Sequence, residues 1–162
     1  MRHACRGFSL VELIIVIAIF GIAASIATLN FNQMTRKAQI EKQTKELFSD
    51  INNARLQSVY MKKRHRIVFQ PNSYVFKEYS SLNEIDSAAT KVLFSKNVSN
   101  QMTTKSGDSI NPIDFDIRGY TYNYNTIMFN PINSGAAFDC IVISDARTNM
   151  GQMGSGNVCN QK

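Results

Sequence analysis

At 162 residues the chain has room for one modest domain, and any segment given to a membrane must be subtracted before its core is counted. The formal net charge of +6, with a pI near 9.3, comes from Lys and Arg scattered along the chain. No long basic block dominates, so charge alone does not single out a nucleic acid or membrane partner.

The hydrophobic fraction of 44% is ordinary in amount but not in distribution. Leu13 to Leu29 reads LIIVIAIFGIAASIATL, about 17 residues without a charge, and Phe8 to Val11 bring it to the ~20 that cross ~30 Å of hydrocarbon. Arg2, His3 and Arg6 precede it. By the positive-inside rule that leader stays cytoplasmic and the chain after Leu29 lies outside. A secretory signal peptide would instead be cut behind the apolar run, where Ala23-Ala24-Ser25-Ile26-Ala27 offers a site, and would release a soluble secreted domain. That alternative leaves Glu12 and the Gly7-Phe8 junction without a role. A lone carboxylate inside a bilayer costs about 2.5–3.5 kcal/mol at helix centre, so Glu12 either meets a cation or snorkels to the headgroups.

Beyond Leu29 the chain is polar but keeps a helical period: Phe31, Met34 and Ala38, then Leu47, Ile51, Ala54 and Met61. With no Pro or Gly from Asn30 to Lys63, and with Glu41/Lys45 and Lys42/Glu46 spaced by four, one helix is expected to continue to about Lys63. His65–Gln70 and Tyr74–Tyr79 alternate like strands around a Pro71-Asn72-Ser73 turn. Further strands are expected at Lys91–Phe94, Asp114–Arg118, Tyr120–Phe129 and Phe138–Ser144. The predicted class is α+β, a long N-terminal transmembrane and amphipathic helix packed on a small antiparallel β-sheet domain. Loops Asn97–Asn111 and Met150–Asn157, the latter Gly-rich, are where partners would bind.

Arg6-Gly7-Phe8-Ser9-Leu10-Val11-Glu12-Leu13 followed by the apolar run resembles the class III signal of type IV prepilins and type II secretion pseudopilins. The resemblance implies cleavage after Gly7 by a prepilin peptidase and methylation of the new N-terminus, Phe8. It divides the chain into a leader (1–7), a transmembrane and assembly helix (8–29), an amphipathic continuation (30–63) and an extracytoplasmic β-rich domain (64–162). The partners it implies are other pilin or pseudopilin subunits, the peptidase, membrane lipid and a membrane assembly platform. It places the precursor in the cytoplasmic (inner) membrane, single-pass, and the mature chain in a filament. Glu12 then acquires its cation, the Phe8 amine of a neighbour, in a pair that sets register more than it adds stability. Gly21, Ala23, Ala24, Ser25 and Ala27 would let helices approach closely. Many pilins carry a proline where this chain has Leu29, so a kink there is not implied.

Loss of the leader would remove Cys5 and leave Cys140 and Cys159 as a pair. A disulfide between them would tether the C-terminal tail and contribute about 3 kcal/mol for a loop of roughly 20 residues. Their spacing fits no zinc site, and no metal or cofactor is expected.

The run Asn53-Ala54-Arg55-Leu56-Gln57-Ser58, a basic helix end and two adjoining strands resemble the minor pilin and pseudopilin branch called FimT or GspH. That resemblance implies a tip or initiation subunit. Some FimT-type subunits bind DNA during natural transformation, and here Lys62, Lys63, Arg64 and Arg66 would be the phosphate contacts, with Arg147 the single arginine left where those proteins carry Gly-Arg-x-Arg. The same cations also suit a helix C-terminus or a solvated surface. For catalysis the sequence offers only His65, whose Arg64 and Arg66 neighbours should depress its pKa with no nearby acid to orient it, and the Asp114/Asp116 alternation. The chain reads as a structural subunit and not as an enzyme.

Overall fold

The computed structural model describes residues 8–80, 91–132 and 134–162, the side chains of 26–30 excepted. The leader, Gly7 with it, lies outside the described residues. Among the described residues one helix, α1 (Leu10–Met61), is followed by nine strands. The chain divides into two compact units, Met1–Arg36 and Lys37–Lys162, with the boundary inside α1.

In the second unit the helix is shaped by its burial pattern. Ile40, Thr44, Leu47, Ile51, Ala54 and Ser58 are all at most 1% exposed, and their alternating spacings of four and three draw one stripe down the helix. The hydroxyls of Thr44 and Ser58 turn back onto the carbonyls of Ile40 and Arg55, which satisfies them inside an apolar stripe. The sequence period is correct from Leu47 to Ala54 but misplaced at its ends: Phe31, Met34 and Met61 are 69%, 73% and 49% exposed. Periodicity reports which residues share a face, not how far along the helix a sheet reaches. The Glu41–Lys45 and Lys42–Glu46 pairs do form, at 3.8 and 3.9 Å. Glu41 also accepts the Ala137 amide and so ties the helix to a loop.

The helix ends at Met61, two residues earlier than expected, because Lys62 takes a left-handed φ of 55°. β1 (Arg64–Gln70) and β2 (Ser73–Tyr79) form the expected hairpin, and β3 (Lys91–Asn97) and β5 (Ile113–Phe115) flank it in the order β3-β2-β1-β5. The single sheet expected is in fact two. A second antiparallel sheet orders β4 (Met102–Thr103), β6 (Asn125–Phe129), β7 (Cys140–Ile143), β8 (Thr148–Met153) and β9 (Cys159–Gln161) as β4-β6-β7-β8-β9. Ile67, Phe69 and Phe76 from the first sheet, Ile127, Phe129 and Ile141 from the second and the α1 stripe share one core.

Several expected strands are shorter, for local reasons. Asp116 takes the amides of Arg118 and Tyr120 on its carboxylate, and Gly119 turns at φ 80°, so β5 stops at Phe115. Thr121 and Asn123 use their side chains on the Asn123 and Asp114 amides, which keeps Tyr120–Tyr124 out of the ladder, and β6 starts only at Asn125. β7 is confined to four residues of the expected Phe138–Ser144.

The Gly-rich stretch from Met150 is not a loop throughout. Its first residues belong to β8, and the turn occupies Gly154 to Asn157. Gly151 has no side chain for a steric reason: a Cβ would stand 2.4 Å from the Asn160 carbonyl oxygen on β9. Cys140 and Cys159 are disulfide-bonded and fasten β9 across β8 to β7, a closure of 19 residues in sequence. Beside them the buried Asp139 carboxylate accepts the Met153 amide and the Ser134 hydroxyl.

Arg55 locks these parts together. Its guanidinium donates to the carbonyls of Gly119 at 2.7 Å and Asp145 at 2.8 Å and to the Thr148 hydroxyl at 3.2 Å, and it stacks 4.8 Å from the Phe115 ring centroid. Burial lowers its pKa from the ordinary value. Arg55→Met should cost about 2–4 kcal/mol in urea unfolding, because several acceptors lose a charged donor at once. Arg55→Lys should recover less than half, since a point ammonium cannot span that fork.

Candidate functional site

Among the described residues of the first unit no side chain is buried. From Leu10 to Ile22 every large apolar side chain is open, from 38% for Val16 to 78% for Leu10. A Cβ on Gly21 would meet nothing within 4 Å. Apolar residues on all sides of a helix call for an apolar surrounding, which lipid or other helices supply. Glu12 lies in the first helical turn, four positions after the 79% exposed Phe8. Among the described residues no helix is long and apolar enough to cross a membrane, and the apolar sequence runs on into residues 26–29, whose side chains are outside that set.

The fold gives most of the basic cluster partners within the domain. Lys62 is exposed in the turn after α1. Lys63 donates to Glu78, a buried carboxylate on β2. The Arg64 guanidinium stacks 4.2 Å from the ring centroid of Tyr79, its cross-strand partner. Arg66 makes a two-pronged bond to Asp114 on β5, which raises its pKa further. Arg147 stands apart in the exposed turn between β7 and β8. Asp114 and Asp116, expected to alternate on one strand, serve different partners: Arg66 for the first, Arg118 for the second.

His65 is fully buried, and two expectations about it change. Its pKa is lowered chiefly by burial, because the side chains of Arg64 and Arg66 leave the strand on the opposite face. An acid does lie near it: the Glu78 carboxylate is 4.0 Å from Nε2, while Nδ1 meets the Lys63 carbonyl at 3.1 Å. Glu78 is far from His65 in sequence but opposite it in the β1–β2 register. The hydrogen bond from Lys63 depresses the Glu78 pKa. Arg55 lies in the Asn53–Ser58 run singled out in the sequence, but neither that run nor any period assigns Arg55 or Asp139 its partners.

Residues 2–28 match the family described as the prokaryotic N-terminal methylation motif. No curated protein matches the chain. Two solved structures do, both of the type IV minor pilin FimU of Pseudomonas aeruginosa (strain PAO1) in different crystal forms. One aligns over 79% of this chain and 97% of its own at 15% identity and a TM-score of 0.55. The other aligns over 75% and 97% at 14% identity and a TM-score of 0.51. The chain resembles type IV pilins in its N-terminal motif and in its fold. Its fold, a long helix packed against antiparallel sheets, is the pilin fold, and the motif marks a membrane-anchored pilin-type precursor.

The buried histidine of this pilin-like domain makes stability depend on pH with a definite sign. Its folded pKa lies below the ordinary value of about 6.5, so the unfolded state binds the proton first on acidification. Stability from this site is complete above pH ~6.5 and falls as pH drops below it, by at most about 1.4 kcal/mol per pH unit. Depressed Glu78 adds a second loss at still lower pH, through its folded pKa. Urea melts between pH 7.5 and 5 should show the first loss, and His65→Gln should flatten it.

Proposed function

We propose that the chain is a structural subunit of a pilin-type filament, processed after Gly7 and assembled through Phe8 and the helix that follows. The observation that carries this reading is the contrast between the two parts of α1. The part beyond Lys37 contributes a fully buried stripe to a core, whereas Leu10–Ile22 presents apolar side chains on every side. A chain with such a helix needs a bilayer before assembly and a bundle of like helices after it.

In this reading residues 1–7 are the cytoplasmic leader, 8–29 cross the cytoplasmic membrane once, 30–63 continue the helix and 64–162 are extracytoplasmic. Prepilin peptidase frees and methylates the Phe8 amine, which stays cationic near neutral pH. In the filament that amine meets Glu12 of a neighbour, and the two charges neutralise each other in an apolar setting where either alone is costly. The likeness to a minor pilin favours a minor, tip or initiation role, in a type IV pilus or a type II secretion pseudopilus. An assembly platform lifts the helix out of the membrane, and the subunit does no covalent chemistry itself. The charge pairing of Lys63 with Glu78 and of Arg66 with Asp114 gives the helix-end cations a structural use within the domain.

Intact mass and N-terminal sequencing of protein from its native membrane test the reading directly. The expected mature chain starts at N-methylated Phe8, and a start after Ala27 would overturn it. Glu12→Leu should leave membrane insertion unchanged and reduce recovery in sheared filaments at least about tenfold, as when a buried charge loses its partner.

A further inference from the structure

The C-terminal strand has a narrow hold on the second sheet. β9 (Cys159–Gln161) pairs with β8 over three residues, which run from half-buried to exposed. Val158 before it is 49% exposed. Among the described residues of this segment Cys159 is the one that packs inward, against Met128, Cys140 and Met153. Other side-chain ties are polar and exposed: Asn149 Nδ2 donates to Gln161 at 2.7 Å and Lys162 Nζ to Gln152 at 2.9 Å. Lys162 Nζ also lies 5.8 Å from the Phe138 ring centroid. A strand this short, without a buried aliphatic or aromatic side chain, has little of its own to keep it in a ladder.

The disulfide supplies what the strand lacks. Cys140 on β7 stands opposite Gly151 of β8, and Cys159 on β9 opposite Met153, so the bond crosses β8 beside Gly151. A Cβ on Gly151 would stand 2.8 Å from Cys159 Sγ, and its absence leaves the crossing room. The backbone groups of β8 divide between its two neighbours. Toward β7, the Gly151 carbonyl accepts the Asp139 amide. Toward β9, the Met150 carbonyl accepts the Lys162 amide, and just past the strand the Gly154 amide donates to the Val158 carbonyl. By the alternation of an antiparallel ladder the Gln152 amide points the same way. Without β9 these groups would form an open edge, the kind an extended chain pairs with.

We propose that β9 is a redox-latched strap: reduction of the Cys140–Cys159 bond releases β9, uncovers the β8 edge and leaves the rest of the domain folded. Cys140 is fully buried and Cys159 only partly, so an attacking thiolate reaches Cys159 Sγ and Cys140 leaves as the thiolate. The second thiol of a dithiol reductant then displaces Cys159. The reductant gives up two electrons and ends as a disulfide, and two protons go to the sulfurs of Cys140 and Cys159. The main core persists because Ile127, Phe129 and Ile141 meet the helix stripe in it without a residue of β9.

The test uses the full chain, purified folded in detergent, with dithiothreitol as the reductant. Hydrogen exchange is read amide by amide by mass spectrometry, and alkylation counts the free thiols. With both thiols free, the Gln152 and Gly154 amides should exchange at least about tenfold faster than in the oxidised protein, while the β6–β7 ladder keeps its rate. Unchanged exchange at Gln152 and Gly154 with both thiols free would overturn the strap. So would equal acceleration in β6, β7 and the buried stripe of α1, since the bond would then support the whole domain. A bond that dithiothreitol opens only in urea would overturn the latch.

Discussion

The packing of one helix stripe into a core shared with two sheets is the constraint on which the domain depends. Ile40, Leu47, Ile51 and Ala54 have no exposed surface to speak of, and both sheets reach the same core. Sheets of four and five strands, several of them two to four residues long, have little stability alone. Each buries its apolar face because the helix lies against it. Arg55 then fixes the loops at the far side of that packing. It donates to the Gly119 and Asp145 carbonyls, the second of which also accepts the Thr121 amide.

Polar groups inside the domain follow the same logic of satisfaction. Asp50 accepts both the Tyr74 hydroxyl and the Lys96 ammonium, so a carboxylate on α1 anchors two strands. Asp139 holds β8 through the Met153 amide, and the disulfide holds β9 to β7. The cations after the helix are drawn into this network by Glu78, Tyr79 and Asp114. Lys63 and Arg66 take separate carboxylates, while Arg64 and Arg66, two apart on β1, share one face and both lie over Tyr79.

Leu10–Ile22 obeys the opposite rule, because no described part of the chain covers its side chains. That difference along a single helix connects fold to function. The domain has a core within one chain, whereas the described apolar side chains of the N-terminal segment call for lipid or other helices around them.

The sequence by itself determined the features that are local or periodic. The leader motif, the apolar run, the stripe from Leu47 to Ala54 and the β1–β2 hairpin each follow from residue spacing within a short window. Only the tertiary structure decided how many sheets there are, which strands Asp116, Thr121 and Asn123 cut short, and that Glu78 sits opposite His65. It also decided that Gly151 must be bare for β9 to pass and that Arg55 is a central tie. These depend on which side chains turn onto the backbone and on which residues register and burial bring opposite one another, choices that residue type and spacing alone do not make.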